Sequence, residues 1–379
     1  MITTVALPYQ IYHLTNSTLM VGLLSLSQLL PLLFTALLGG ALADRHHRRT
    51  LLLIAEAALA IGCLLLAWNA SLSVPKIWFL FLIATLMSAM NGLHRPALES
   101  ITQQLVAKED FADVGALSTF KFSVCSVGGP ALGGILISRY GIAITYLLDF
   151  FSFLVPLFAI YLIRGIPKPV SRAEESTWTS LKNGFQYAAT RQELLGTYFV
   201  DFAAMIFGMP SALFPALAQS FGGVKTLGLL YSAPAVGALA ISCFSGWVKH
   251  IKRQGIAVAW AAVFWGIAII FFGLSKNLWL GLFFLALAGM FDAISGIFRM
   301  TMWNNVIPQE YRGRLSGIEM ISYMSGPKLG DTEAGLIAAA FGVTASIVSG
   351  GVLCIIGVGL CCYFLPKFRS YRTIDYSSS

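Results

Sequence analysis

Apolar residues run through this chain in stretches of 20 or more, separated by short polar breaks. The pattern predicts membrane-spanning helices at about 18–42, 50–70, 77–98, 113–138, 142–163, 193–218, 226–248, 255–274, 278–303, 314–337 and 341–365. Each is long enough to cross a hydrocarbon layer of about 30 Å. Helices are the expected form, because a spanning segment must satisfy its own backbone hydrogen bonds in lipid. An apolar piece at about 1–13 is too short to span and reads as the outer half of a first helix whose start is absent. The fold class is therefore an all-α membrane protein of about eleven full spans plus a partial first helix. The longest polar break, 164–192, is basic, and its second half places Trp178, Leu181, Phe185 and Tyr187 among polar residues. That suits an amphipathic helix lying in the membrane surface.

Composition sharpens this picture. Of 379 residues, 57% are hydrophobic and 11% are charged, against about 25% charged in soluble domains. A soluble enzyme, a disordered regulator and a disulfide scaffold are excluded. The net charge of +8 is explained by topology rather than by nucleic acid. With the RHHRR loop inside, 17 of the 25 Lys and Arg residues fall on inner loops and the tail, as the positive-inside rule requires. The C-terminus is then cytoplasmic. The six cysteines lie in apolar runs without a CxxC pair or a Cys/His cluster, so neither a metal nor a disulfide is expected. The sequence has no P-loop, HExxH or GxSxG pattern, so no cofactor, no ATP-driven step and no enzyme chemistry are expected.

The two halves resemble each other. GALADRHHRR from Gly40 matches GWVKHIKRQG from Gly246, Arg95 matches Arg299, and the GGP at Gly128 matches the SGP at Ser325. These offsets of 206, 204 and 197 residues point to a duplicated six-helix unit. The implied layout is a bundle over 1–163, a linker over 164–192, a second bundle over 193–365 and a tail over 366–379. Duplicated bundles of this kind are a transporter architecture with a site near the midplane.

At Gly40, Asp44, Arg45, Arg48 and Arg49 the chain resembles the major facilitator superfamily. The pattern is a Gly, an Asp four residues on and a basic cluster, between the second and third helices. The resemblance implies two six-helix bundles related by pseudo-two-fold symmetry and assigns these five residues to an inner gate. GGPALGG in the fifth span, with Gly129, Pro130, Gly133 and Gly134, is similar to the helix-packing motif of the family's antiporters. RPALESITQQLV, DAISGIFRMTMW, IPQEYRGRLSG, SGPKLGDTEAG and MPSALFPALAQSFG resemble the enterobactin-exporter-type branch, which includes siderophore, macrolide and multidrug efflux pumps. That resemblance implies a monomer in a bacterial plasma membrane and proton-coupled export. It leaves the substrate unnamed.

Ionisable groups at membrane depth are costly and mark functional sites. Asp292 lies inside the tenth span, with Arg299 two helical turns on and Ser295 between them. Asp292 is the first candidate for proton coupling. Asp201, near the start of the seventh span, is the second. Candidates for a substrate cavity are Tyr9, Gln10, Asn91, Arg95, Met205, Phe207, Ser295, Arg299 and Trp303. Lys328, Asp331 and Glu333 form an expected charge network in the eleventh span, with Lys328 and Asp331 spaced to pair. Glu56 and Asp149 are expected to serve packing. The reading is a secondary transporter, expected to export a small amphipathic molecule in exchange for protons. An importer or facilitator, or a truncated membrane protein that transports nothing, is the alternative. Expected partners are the lipid bilayer, a small substrate and protons, with no nucleic acid.

Overall fold

The computed structural model describes residues 1–45, 47–163 and 177–372, without the side chains of 38–45, 99, 100, 103, 104, 108, 112, 177–182, 245, 249, 309, 310, 312–314, 316–318 and 320. Among the described residues there are helices and no strands. They are α1 (Ile2–Thr15), α2 (Thr18–Arg45), α3 (Arg48–Ala70), α4 (Ile77–Leu105), α5 (Phe111–Leu162), α6 (Thr177–Thr190) and α7 (Gln192–Phe207), then α8 (Phe214–Ser220), α9 (Val224–Ser242), α10 (Gln254–Leu274), α11 (Leu278–Val306), α12 (Gln309–Phe341), α13 (Val343–Phe364) and α14 (Pro366–Ser370). The chain forms two compact units. One comprises 1–177 and 215–229, the other 178–214 and 230–379.

Nine stretches among the described residues have the length and hydropathy of membrane spans. One of them, Asp113–Leu162, is 50 residues long and contains two crossings. Its two legs meet at Gly141, whose φ of 79° and ψ of 173° are open essentially to glycine alone. The equivalent corner in the second unit is Gly342, with φ 90° and ψ 159°, between α12 and α13. Gly342 follows Gly141 by 201 residues. The duplication read from the sequence therefore extends to the backbone geometry of a corner.

In the first unit α2 packs on α4, α3 on α4 and α5, and α1 on α5. The GGPALGG stretch makes some of these contacts possible. Gly129 and Gly133, one turn apart, face Met1 and, in α1, Ile2 and Val5. Gly134 lies against Gly228, where an added Cβ would come within 2.8 Å of a backbone nitrogen. Small residues at helical spacing let backbones approach closely in lipid. In the second unit α10 packs on α11 and α13, and α7 on α12 and α13.

Two expected spans differ in detail. The span expected over 193–218 is broken after Phe207, at Gly208–Pro210, and resumes as a 3-10 turn at Ser211–Leu213 followed by α8. Pro210 has no N–H to continue the helix. The span expected over 226–248 stops at Ser242 and passes into a 3-10 turn at Ser245–His250. The expected amphipathic segment is helical in α6, but its Tyr187 and Ala188 dock on the second unit. Tyr187 stacks on Tyr311 at 4.4 Å, and Ala188 is buried with Leu194, Tyr198, Ile307 and Leu315. Phe185 remains exposed.

Candidate functional site

The second unit holds a polar cluster where α7, α11 and α12 meet. Asp201 sits on α7, two turns after Leu194, on a face that also carries Tyr198 and Met205. Arg299 sits on α11. Its Nη1 is in contact with a carboxylate oxygen of Asp201, and its Nη2 lies 3.8 Å from Asp292. The Arg299 and Asp201 side chains are 16% and 14% exposed, whereas Asp292 is 42% exposed. The guanidinium is thus held mainly by Asp201, and Asp292 is the more accessible carboxylate. Glu319 of α12 lies within electrostatic reach of Arg299, Asp201 and Tyr198.

Tyr198 Oη, Arg299 Nε and Ser322 Oγ are buried polar atoms with no hydrogen-bond partner among the described residues. Ser322 is one turn beyond Glu319 on the same helix. Buried polar groups in native proteins are normally paired with protein or with water.

The other expected cavity residues divide. Ser295 is buried on α11. Trp303 donates its Nε1–H to Thr197 Oγ1 at 2.8 Å and lies 5.1 Å from the Tyr198 ring, so it joins α11 to α7 below the cluster. Met205 packs against Gly326 and Gly330 of α12. Phe207 is elsewhere. It lines an apolar groove with α13, because it follows Asp201 by six residues, or about 1.7 turns, and so points from another face. In the first unit, Gln10 is buried and accepts a hydrogen bond from the Tyr146 hydroxyl at 2.9 Å, which commits it to packing. Tyr9 stacks on His13. Asn91 and Arg95 are exposed one turn apart on α4, with Asn91 Nδ2 donating to the Met87 carbonyl.

The expected charge network of α12 gains partners from the seventh span. Asp331 accepts from the Ser211 hydroxyl and from the Ala212 N–H at 2.9 Å. The Tyr231 hydroxyl donates to the Ser211 carbonyl at 3.1 Å. Asp331 therefore caps the break in the seventh span. Lys328 lies within its electrostatic reach, but Glu333 makes no hydrogen bond or ion pair among the described residues. Of the gate motif, the side chains of Gly40, Asp44 and Arg45 lie outside the described residues. Arg49 donates from Nε to the Ile160 carbonyl at 3.1 Å and from Nη2 to the Tyr161 carbonyl, closing the end of α5. Arg48 lies at the start of α3.

Sequence reasoning missed two partners. Glu319 went unnoticed, although its place inside the 314–337 span was a sufficient signal under the rule that intramembrane charges are functional. His94 belongs to no motif in the sequence, yet its Nε2 lies 2.8 Å from the buried Glu56 carboxylate. Only the packing of α3 on α4 reveals that pair.

The whole chain, residues 1–378, matches the family model described as transmembrane secretion effector. It is 30% identical over 371 residues to the enterobactin exporter EntS of Citrobacter koseri, covering 97% of this chain and 88% of that protein. It is 31% identical over 377 residues to the EntS of Shigella boydii, with the same coverage. A bacterial homologue of the human lysosomal transporter Spinster, solved in an inward-facing, unoccupied conformation, superposes with a TM-score of 0.75 at 15% identity, over 97% of this chain and 94% of that one. A POT family transporter solved with 5-aminolevulinic acid gives 0.74 at 12% identity with the same coverage. The chain is a multi-pass membrane protein with the major facilitator fold, and it belongs to the transmembrane secretion effector family of major facilitator transporters.

Proposed function

We propose that this transporter exports a small amphipathic molecule of the siderophore or drug class from a bacterial cytoplasm, driven by protons moving inward. The observation that carries this reading is the cluster of three carboxylates around one guanidinium. Arg299 offsets a single negative charge, while Asp201, Asp292 and Glu319 all lie within its reach. Net negative charge in a low-dielectric site is costly, and protons are the simplest counter-charge. Asp292 is the entry point, because it is the most exposed of the pair that contacts Arg299 and the farther from it. Gain or loss of its proton changes the net charge of the site and so biases one conformation over the other. The relatives named enterobactin exporters support the outward direction and the amphipathic substrate class. The reading includes an inner-membrane location, a cytoplasmic C-terminus and rocking of bundles over 1–163 and 193–365.

The test uses a deletion strain grown with scarce iron and the ratio of intracellular to secreted siderophore. The full chain should restore secretion, and Asp292→Asn should not. In proteoliposomes, Asp292→Asn should fold yet lose its dependence on a pH gradient. Transport by Asp292→Asn that still follows the gradient removes this carboxylate from coupling. An unchanged ratio in the deletion strain moves the substrate to drugs or other metabolites.

A further inference from the structure

The second unit carries an apolar groove of about 630 Å³ between α7 and α13, lined by Phe199, Phe202, Ile206, Leu360 and Phe364 among others, none of them polar apart from Cys361. Its floor is a close approach of the two helices. Gly350 of α13 meets the Phe207 carbonyl, and Gly357 faces Ala203. Its walls are open, with Phe199 56% and Phe364 68% exposed. Along α7 the lining runs from Phe199 to Phe207, which at the helical rise is about 12 Å. That is most of one leaflet of a hydrocarbon layer about 30 Å thick.

The groove ends at Leu365, and the chain turns there into α14. Phe368 of α14 is fully buried, its ring against Gly196 of α7 and its carbonyl against Gly255 of α10. The Lys367 N–H reaches Gln192 Oε1 at 3.4 Å. This seat holds α14 across the starts of α7 and α10. It places exposed Lys367, Arg369 and Arg372 beside exposed Arg191, Lys252 and Arg253. The acidic residue within these segments is Glu193. An acyl-length apolar groove therefore opens at a dense basic surface.

We propose that this groove and the basic face of α14 form a binding site for one anionic phospholipid, an acyl chain lying between α7 and α13 and the phosphate resting on Lys367 and Arg369. The apolar groove alone would accept any lipid tail. The basic cluster selects the headgroup, since each Lys or Arg near the surface favours anionic lipid by about fivefold. The bound lipid ties the end of α13 to the start of α7, the helix that carries Asp201. The inference rests on the membrane location of the chain and is independent of the transport direction and of proton coupling.

The experiment is native mass spectrometry of the full chain released from nanodiscs of equal palmitoyl-oleoyl phosphatidylglycerol and phosphatidylcholine. The expected result is one phosphatidylglycerol retained at least about fivefold over phosphatidylcholine. K367Q/R369Q, which alters only exposed side chains, should cut the preference by at least about fivefold. L360W, which fills the groove, should remove the retained lipid altogether. Equal retention of the two lipids, or a preference that K367Q/R369Q leaves undiminished, overturns the site. If L360W fails to fold, K367Q/R369Q alone decides the matter.

Discussion

Arg299 is a cation whose position is fixed by three helices. Its contact with Asp201 is buried enough that removing Arg299 leaves uncompensated carboxylates, at a cost of about 3–5 kcal/mol. Arg299→Met should therefore lower the melting temperature in detergent. The double variant Asp201→Leu with Arg299→Met should be more stable than Arg299→Met alone, because it also removes the carboxylate that lost its partner. If the double variant melts lower, the pair has a structural role beyond charge balance. Glu56 and His94 pose the same problem in the first unit. His94→Ala leaves a buried carboxylate without its contact at 2.8 Å and should also be destabilising in a melting assay.

At the scale of an element, the break in the seventh span shows how a polar side chain shapes an apolar helix. Pro210 ends the hydrogen-bond ladder, and the N–H of Ala212 would be orphaned in lipid without Asp331. Asp331→Ala should cost about 1–3 kcal/mol, the penalty of an unsatisfied buried donor. The loss should appear as faster amide exchange confined to Ser211–Leu213 and α8. Exchange that rises throughout the second unit would show that the cap also supports α12. The corners at Gly141 and Gly342 allow a matched test. Each holds a backbone conformation that disfavours any side chain by about 1–3 kcal/mol, so Gly141→Ala and Gly342→Ala should lower stability by similar amounts. The sequence shows the same glycine after an aromatic residue in both halves, Tyr140 and Phe341. Its positive φ is a property of the folded corner.

For the whole molecule, the uneven charge distribution sets topology. With 17 of 25 basic residues on one set of loops, the C-terminal tail should lie in the cytoplasm. A green fluorescent protein fused after Ser379 should fluoresce, and alkaline phosphatase at the same point should be inactive. The reverse pattern would invert every span and the proposed direction of transport with it. The charged clusters are also unevenly shared between the duplicated units. The second holds Asp201, Asp292, Arg299 and Glu319 together. The first keeps Arg95, the counterpart of Arg299, exposed on α4. The duplication thus preserves the corner glycines but not this charged cluster.

The hydropathy pattern alone determined the helical fold, most of the spans and the membrane location, and the matched motifs of the two halves pointed to the duplication. Lipid removes every alternative to a self-satisfied helix, so length and apolarity are sufficient signals. The family motifs added the architecture. Sequence also identified Asp292, Asp201 and Arg299 as costly groups, since charge at membrane depth can be recognised one residue at a time. It could not say which carboxylate touches the guanidinium. Spacing on α11 favoured Asp292, and packing brought Asp201 closer from α7. The capping role of Asp331, the commitment of Gln10 to Tyr146, the turn of Phe207 toward α13 and the meeting of Glu56 with His94 were decided in the same way. Each is a contact between helices far apart in sequence. Helical periodicity fixes which residues share a face, but only the packing of one helix on another decides what that face meets.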